Sequence, residues 1–181
     1  MENTENKIEN IVIKKVKLGN INELQLIGIK TFQETFAAGN TEEDMQMYLN
    51  ESFSTQKLTQ ELTNDNNEFY FVVNNDEIIG YLKVNFMGSQ TELKYNKSLE
   101  IERIYVAKEF YGKKVGQMLY EKAVQIAKKI NAEYIWLGVW EKNLRALSFY
   151  KKNGFVAIDK HIFKLGNDNQ TDIMMKVILK N

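Results

Sequence analysis

Residues 100–155 run, in order, through a strand, a glycine-containing turn, a long helix, a second strand and a short helix. Residues 99–106 are rich in β-branched and aromatic side chains, which is typical of a strand. Apolar side chains then recur every three or four positions through residues 115–130, which predicts a helix with one buried face. The turn at residues 111–117 therefore leads from a strand into the N-terminus of a helix.

This turn has a composition that suits an anionic ligand. Gly112 and Gly116 allow a tight bend and a close approach of the backbone, and Lys113 and Lys114 add positive charge. The first N–H groups of a helix lack intrahelical partners and the helix dipole is positive there, so a pyrophosphate can dock on them. The alternative is that the turn is only a solvent-exposed connection.

A second strand is expected directly after the long helix. Residues 135–140 form a nearly continuous apolar run, as expected for a strand that is buried on both faces. A strand, a helix and a strand in this order imply a right-handed parallel crossover. Asn143 then stands at the N-cap of a short helix, residues 144–152, and Asn153 and Gly154 are expected to end it in a left-handed turn.

The rest of the chain predicts shorter elements around the same sheet. Thr41 is expected to cap one helix, and Ser54 or Thr55 to open another that reaches Leu62. The other expected elements are a strand at 11–16, a helix at 21–36, a hairpin of 69–73 and 78–84, a loop at 93–98, and strands at 155–165 and 171–179 joined by residues 166–169. We therefore predict an α/β (α+β) fold, with a mixed, partly antiparallel sheet flanked by helices.

Length and composition exclude several classes of protein. With 181 residues the chain can bury one sizeable core, and we expect a single domain after a flexible tail at residues 1–10. The absence of cysteine excludes disulfides, a thiol nucleophile and a cysteine-based zinc site, and we expect no metal. The single histidine, His161, is expected at the surface, at the start of a strand. No apolar run is long enough to span a bilayer and the acidic start is unlike a signal peptide, so we expect a cytoplasmic protein with no membrane partner.

A net charge of zero conceals a division along the chain. Residues 1–100 carry 16 acidic and 9 basic side chains, whereas residues 101–181 carry 8 and 15. The acids are concentrated in residues 31–68, which contain eight acidic side chains and one basic side chain, Lys57. An acidic region attracts a polycation and a basic region attracts a polyphosphate, although an acidic helix can also be a merely solvated face. A neutral chain lacks the positive field of nucleic-acid-binding proteins, so no nucleic-acid partner is expected.

Six runs of the chain together follow the pattern of one enzyme superfamily. They are residues 31–36, 80–85, 99–106, 135–143, 149–156 and 170–175. These runs resemble the GNAT superfamily of acetyl-CoA-dependent N-acetyltransferases, and look most like the Pai-type spermidine/spermine N-acetyltransferases of Gram-positive bacteria. The superfamily turn usually reads Arg/Gln-x-x-Gly-x-Gly/Ala. Here Tyr111 takes the first place, Lys114 replaces the internal glycine and Gly116 matches.

The resemblance implies a cofactor site for acetyl-CoA, at a β-bulge where two parallel strands splay apart. Backbone groups on the first strand would hold the pantetheine arm and the oxyanion. Tyr150 would give a proton to the departing thiolate, as a phenol of pKa about 10 can, although it could instead only pack in the core. Asn143 would contact the pantetheine arm as well as cap its helix. The expected cofactor-binding residues are Ile104, Tyr105, Val106, Gly112, Lys113, Lys114, Val115, Gly116, Gln117, Asn143 and Tyr150.

Acidic residues are expected on the acceptor side of that site. Glu100 and Glu102 are two apart on one strand and so share a face, and either could carry the ammonium proton away through water. Glu102 is nearer the expected bulge. The alternative is a solvent-facing pair, since an amine can also react from its minority neutral form. Residues expected to contact the amine are Glu34, Glu42, Glu100 and Glu141.

Three functions remain open from the sequence. The first is transfer of acetyl from acetyl-CoA to a primary amine of a polyamine such as spermidine or spermine, by direct attack in a ternary complex. The second is acetylation of another amine, such as a peptide N-terminus or an antibiotic. The third is a non-catalytic acyl-CoA-binding regulatory module. A homodimer is left open.

Overall fold

Within residues 8–179, which the computed structural model describes, seven strands form one mixed sheet that separates two layers of helices. The strands are β1 (Ile11–Lys15), β2 (Asn67–Asn74), β3 (Glu77–Phe86), β4 (Ser98–Val106), β5 (Tyr134–Trp140), β6 (Val156–Leu165) and β7 (Asp168–Ile178). The helices are α1 (Ile21–Phe36), α2 (Glu42–Ser52), α3 (Thr55–Leu62), α4 (Val115–Lys129) and α5 (Leu144–Lys152). The predicted mixed sheet flanked by helices is confirmed.

Local capping signals account for where the helices begin and end. Thr41 caps α2 and Ser54 caps α3, each through a side-chain oxygen that accepts a backbone N–H from the first turn. Asn143 caps α5 in the same way. Gly154 follows α5 with a φ of 86°, a left-handed conformation that glycine adopts without strain. These predicted boundaries are confirmed.

The order of the strands places an opening in the middle of the sheet. The order is β1-β2-β3-β4-β5-β7-β6, and among the strands of residues 8–179 only β4 and β5 are parallel neighbours. α4 connects these two strands, which confirms the predicted parallel crossover. β4 and β5 pair only from Ser98 with Tyr134 to Glu100 with Trp136. Beyond that point they lose their pairing, and the rest of β4 has a neighbour on the β3 side alone.

Each face of the sheet carries its own hydrophobic core. The core on the face that we call the α4 face contains Leu99, Leu119 and Ile135. The core on the opposite face, which we call the α1 face, contains side chains of α1, α2 and α3 such as Leu24, Leu49 and Leu58. Because side chains alternate along a strand, each position of β4 and β5 can be assigned to one of these faces.

The two ends of the chain differ from the expected pattern. β7 begins at Asp168, three residues before the predicted strand, because Gly166 adopts a φ of 59° and allows a shorter turn. Of the predicted tail at residues 1–10, residues 1–7 lie outside the described residues. The N–H of Glu9 donates to the side chain of Asn74 at 2.8 Å, which joins the end of this segment to β2. Within residues 8–179, every helix is too short or too polar to cross a membrane.

Candidate active site

A cavity of about 1120 Å³ passes through the opening between β4 and β5. Its wall includes the second half of β4, the 111–117 turn, the first turn of α4 and one side of α5. On the α1 face, the wall continues along α1, β5, β6 and β7. One continuous space therefore connects a helix N-terminus with the α1 face.

The 111–117 turn lines one end of this cavity. Gly112, Lys114, Val115, Gly116 and Gln117 all form part of the wall. No side-chain cap hydrogen bond is made at the N-terminus of α4 by the described residues, so this end of the helix has backbone N–H groups to offer a ligand. A Cβ added at Gly112 or Gly116 would meet no atom within 4 Å, which shows that space next to the turn is open to a ligand.

Two lysines of the turn are placed differently. Lys114 is the N-cap residue of α4 and has a φ of 63°, a left-handed conformation that favours glycine. This explains why the superfamily pattern has glycine at that place. Lys113 does not line the cavity, and its ammonium lies 5.6 Å from the centre of the Phe110 ring.

Arg145 brings a further cation to the turn. Its guanidinium carbon lies 3.4 Å from the centre of the Tyr111 ring, and both side chains line the cavity. No motif in the sequence indicates Arg145. Its one signal is its position two residues after the helix cap Asn143, on the first turn of the helix that carries Tyr150.

The β-bulge of β4 lies at Glu102, two residues before the predicted position at 104–106. Ile101 pairs with Val84 and Arg103 pairs with Lys83, which leaves Glu102 as the extra residue. The bulge reverses the alternation, because Ile101 joins the core of the α4 face while Tyr105 packs on the α1 face. The physical reason is electrostatic, since both Glu102 and Arg103 point toward charged partners on the α1 side.

The backbone expected to hold the pantetheine arm lies along the opening. Ile104, Tyr105 and Val106 line the cavity and pair with β3 on one side, while β5 has moved away on the other. A strand with one unpaired edge offers backbone donors and acceptors to a ligand. Asn143 also lines this cavity, and its side-chain oxygen accepts the N–H of Ala146 at 3.1 Å.

Tyr150 reaches the cavity from the last half of α5. The residue is 6% exposed, and its ring packs against Phe149 and Phe155. Its hydroxyl makes no hydrogen bond to any group of residues 8–179. Burial raises the pKa of the Tyr150 phenol, against the smaller opposing effect of Arg145. The phenol is therefore a protonated hydrogen-bond donor at neutral pH.

Glu102 belongs to a buried group of four charges. Lys83 Nζ lies 2.5 Å from Glu102 Oε2 and 2.9 Å from Glu61 Oε1, and Arg103 Nε lies 3.5 Å from Glu102 Oε1. Burial by itself would raise the pKa of Glu102, but the charges of Lys83 and Arg103 outweigh it and lower that pKa to about 2. Glu102 is thus held as a carboxylate.

Glu100 has a different environment although it lies only two residues away. Its carboxylate accepts hydrogen bonds from Thr91 N at 2.8 Å, Thr91 Oγ1 at 2.5 Å and Asn85 Nδ2 at 3.0 Å. Asn85 also donates to Glu102 at 2.6 Å, so the two acids share a face as predicted. Burial raises the pKa of Glu100 despite these hydrogen bonds.

The other three acids expected at the acceptor do not line the cavity. Glu34 accepts the backbone N–H of Lys108 at 2.9 Å, Glu42 lies in the exposed first turn of α2, and Glu141 follows β5 in a turn. Glu42 is exposed, and Glu34 and Glu141 are partly buried away from the cavity. The part of the wall on the α1 face is instead largely aromatic, and contains Phe32, Phe36, Tyr48, Tyr105, Trp140 and Phe163.

The sequence predicts His161 at the surface, at the start of a strand. In the structure it lies in the middle of β6 and is partly buried. It pairs across the hairpin with Asp172 of β7, and both line the cavity. A Cβ at Gly138 would lie 3.2 Å from His161 Cε1 and 3.3 Å from Asp172 Oδ2. Burial raises the pKa of Asp172 to about 6, against the opposing effect of His161. Asp172 has no distinguishing signal in the sequence, because it follows four polar residues of β7, Asp168–Thr171.

Comparison with solved structures defines the class of fold. The structure is similar to that of a PaiA N-acetyltransferase from Thermoplasma acidophilum in complex with coenzyme A, with a TM-score of 0.80 at 24% identity. The match covers 94% of this chain and 100% of that one. The seven-stranded sheet with its parallel β4 and β5 is therefore a GNAT fold.

Comparison of sequences identifies the family. Residues 31–155 match the profile described as the acetyltransferase (GNAT) family, and the chain belongs to that family. An uncharacterized N-acetyltransferase of Lactobacillus delbrueckii subsp. lactis is 36% identical over 169 residues, which cover 93% of this chain and 98% of the relative. A spermidine N(1)-acetyltransferase of Thermoplasma acidophilum is 26% identical over 153 residues, covering 82% and 90%. The protein is thus an acetyl-CoA-dependent N-acetyltransferase.

Proposed function

We propose that the acceptor is a primary amine of a polyamine such as spermidine or spermine, attacked directly in a ternary complex. The observation that carries this proposal is the composition of the two ends of one cavity. At the end near α4 the wall carries Lys114 and Arg145 against the single acid Glu121. On the α1 face it carries Glu100, Glu102 and Asp172, of which Glu102 is ion-paired with Arg103. This separation of charge suits a polyphosphate at one end and a polycation at the other.

In this proposal the turn binds the phosphates of acetyl-CoA. The backbone N–H groups of Gly116 and Gln117 would receive the pyrophosphate at the positive end of α4. The superfamily usually has Arg or Gln at the position of Tyr111, and Arg145 would take over its contact with the phosphates. A guanidinium can bind phosphate in a bidentate manner. The unpaired edge of β4 from Ile104 to Val106 would hold the pantetheine arm, with Asn143 on the opposite wall.

Acetyl-CoA supplies a thioester whose acetyl group is transferred to the amine nitrogen. The chain would orient the carbonyl through backbone N–H groups of β4, which stabilise the negative oxygen that forms during attack. Tyr150 would donate its hydroxyl hydrogen to the departing sulfur. Because the pKa of this phenol is raised, its main contribution would be a hydrogen bond to the thiolate.

The amine must lose a proton before or during its attack, and Glu100 is the better of the two acids proposed for this task. The sequence favoured Glu102, but a carboxylate with a pKa of about 2 has little tendency to take up a proton. Glu102 would instead hold Lys83, Arg103 and Asn85 in place. The raised pKa of Glu100 suits proton uptake through a water molecule.

The aromatic wall supports a cationic acceptor. Ammonium groups are attracted to the faces of Trp, Tyr and Phe rings, and the wall on the α1 face offers several of them beside carboxylates. A relative that is 26% identical is described as a spermidine N(1)-acetyltransferase, which is consistent with this acceptor class. A cytoplasmic location remains part of the proposal, because both substrates are metabolites of that compartment.

A panel of acceptors tests the proposal. Initial rates of CoA release should be measured with spermidine, spermine, a single-amine control such as butylamine, a peptide with a free N-terminus, and an aminoglycoside. We expect kcat/KM to be at least about tenfold higher for the polyamines than for the other amines, because one charge–charge contact is worth that much. Equal or higher kcat/KM for the peptide or the antibiotic would contradict the polyamine assignment.

A further inference from the structure

Asp172 differs from the two acids of β4 that line the same cavity. Glu102 is neutralised by Lys83 and Arg103, and Glu100 accepts three hydrogen bonds. The carboxylate of Asp172 makes no ion pair and accepts no hydrogen bond within residues 8–179. A largely buried carboxylate without a cation is costly unless a ligand supplies one.

The surroundings of Asp172 leave room for such a ligand. Gly138 lies in the middle of β5 and yet is exposed, because the cavity passes over it. Any larger residue there would press on Asp172 and His161. His161 borders the same space, and its buried Nδ1 atom has no hydrogen-bond partner in the described part of the chain.

The position of Asp172 in the sheet sets its distance from the reaction. β7 is separated from β4 by β5, which places it about 10 Å or more from β4 across the sheet. Glu100 and the Ile104–Val106 backbone lie on β4. A group bound at Asp172 is therefore too far from the β4 edge to be the attacking nitrogen, but lies within reach of the other end of an extended diamine.

We propose that Asp172, approached over Gly138 and flanked by His161, binds the second, non-reacting ammonium of a diamine or polyamine acceptor. This inference rests on the proposed polyamine function and assigns one of its contacts. The reacting nitrogen must become neutral, whereas the second nitrogen stays charged and requires a fixed anion. Recognition by Asp172 thus selects acceptors that carry two amines.

Calorimetry with the CoA-saturated protein tests this assignment without turnover. 1,4-Diaminobutane and butylamine are titrated into the wild-type protein, Asp172→Asn and the matched control Asp159→Asn, whose exposed side chain lies on β6 outside the cavity. We expect the wild type and Asp159→Asn to bind the diamine at least about tenfold more tightly than the monoamine. Asp172→Asn should lose this difference and bind butylamine as before.

Each contrary result has a separate meaning. Retention of the diamine preference by Asp172→Asn would overturn the inference and leave the polyamine function intact. A wild-type protein that binds CoA but neither diamine nor spermidine would overturn the polyamine function, and the inference with it. If circular dichroism shows that Asp172→Asn is unfolded, Gly138→Ala is used in its place, because the added Cβ lies close to the Asp172 carboxylate. An unchanged diamine preference in Gly138→Ala would then contradict the inference.

Discussion

The guanidinium of Arg145 lies against the ring of Tyr111, with 3.4 Å between the guanidinium carbon and the ring centre. This contact links the first turn of α5 to the turn that precedes α4. Tyr111 stands where the superfamily pattern has Arg or Gln. The Tyr111 ring can hold the Arg145 guanidinium beside the turn. Arg145 can thus supply the positive charge that an arginine at position 111 would have supplied.

Arg145→Ala is expected to weaken CoA binding about tenfold, because it removes a charge-assisted contact with phosphate. Isothermal titration with CoA measures this effect. Lys151→Ala is the matched control, since Lys151 lies on the exposed side of the same helix and does not line the cavity. Equal affinities for the two variants would rule out a phosphate contact by Arg145.

Gly116→Ala is expected to separate stability from binding. A Cβ at this position meets no protein atom within 4 Å, and alanine favours a helix over glycine by up to about 1 kcal/mol, so the free energy of unfolding should stay the same or rise. CoA affinity should fall, because the methyl group enters the space proposed for the pyrophosphate. Gly19→Ala, also in open space but far from the turn, should leave CoA affinity unchanged. Unaltered CoA binding by Gly116→Ala would place the phosphates elsewhere.

Tyr150→Phe is expected to lower kcat about 100-fold while the Kd for CoA changes little, because the phenol acts only on the departing sulfur. Steady-state rates and calorimetry on the same preparation give both numbers. A matched Tyr120→Phe variant alters another largely buried tyrosine of the same core that does not line the cavity. A similar loss of kcat in both variants would indicate a packing effect.

Acid denaturation should report the ion pairs of Glu102. The pKa of Glu102 falls from its usual 4.5 to about 2 on folding, so its contribution to stability is complete above about pH 4.5 and is lost as the pH falls toward 2. Glu102→Gln should therefore lower the free energy of unfolding at pH 7 by about 3 kcal/mol and flatten its dependence on pH between 2 and 4.5. Urea titrations across this pH range measure both. An unchanged slope would mean that Glu102 is not ion-paired in solution.

Local signals in the sequence were sufficient for the elements that hold the site. The caps Thr41, Ser54 and Asn143 and the glycine after α5 fix helix ends through bonds that span three or four residues. The apolar run of β5 and the periodicity of α4 predict the parallel crossover. These signals predict where the turn and α5 lie, whereas the roles expected for Asn143 and Tyr150 come from the resemblance to the superfamily.

Contacts between distant elements could not be predicted in this way. The bulge at Glu102 depends on Lys83 in β3 and Glu61 in α3, and nothing in the sequence of β4 indicates which residue is extra. The cross-strand pair of His161 with Asp172 depends on the register of the β6–β7 hairpin. The turn of this hairpin is shorter than the sequence predicts, so the register also differs from the predicted register. Glu34, Glu42 and Glu141 were grouped by charge, but charge does not determine which face of an element turns toward the cavity.

A crystal structure of the protein with CoA and spermidine tests the central claim most directly. The account predicts the pyrophosphate on the N–H groups of Gly116 and Gln117, the sulfur within hydrogen-bond reach of the Tyr150 hydroxyl, and one spermidine ammonium on Asp172. CoA bound outside the opening between β4 and β5, or spermidine bound away from the α1 face of the cavity, would contradict it.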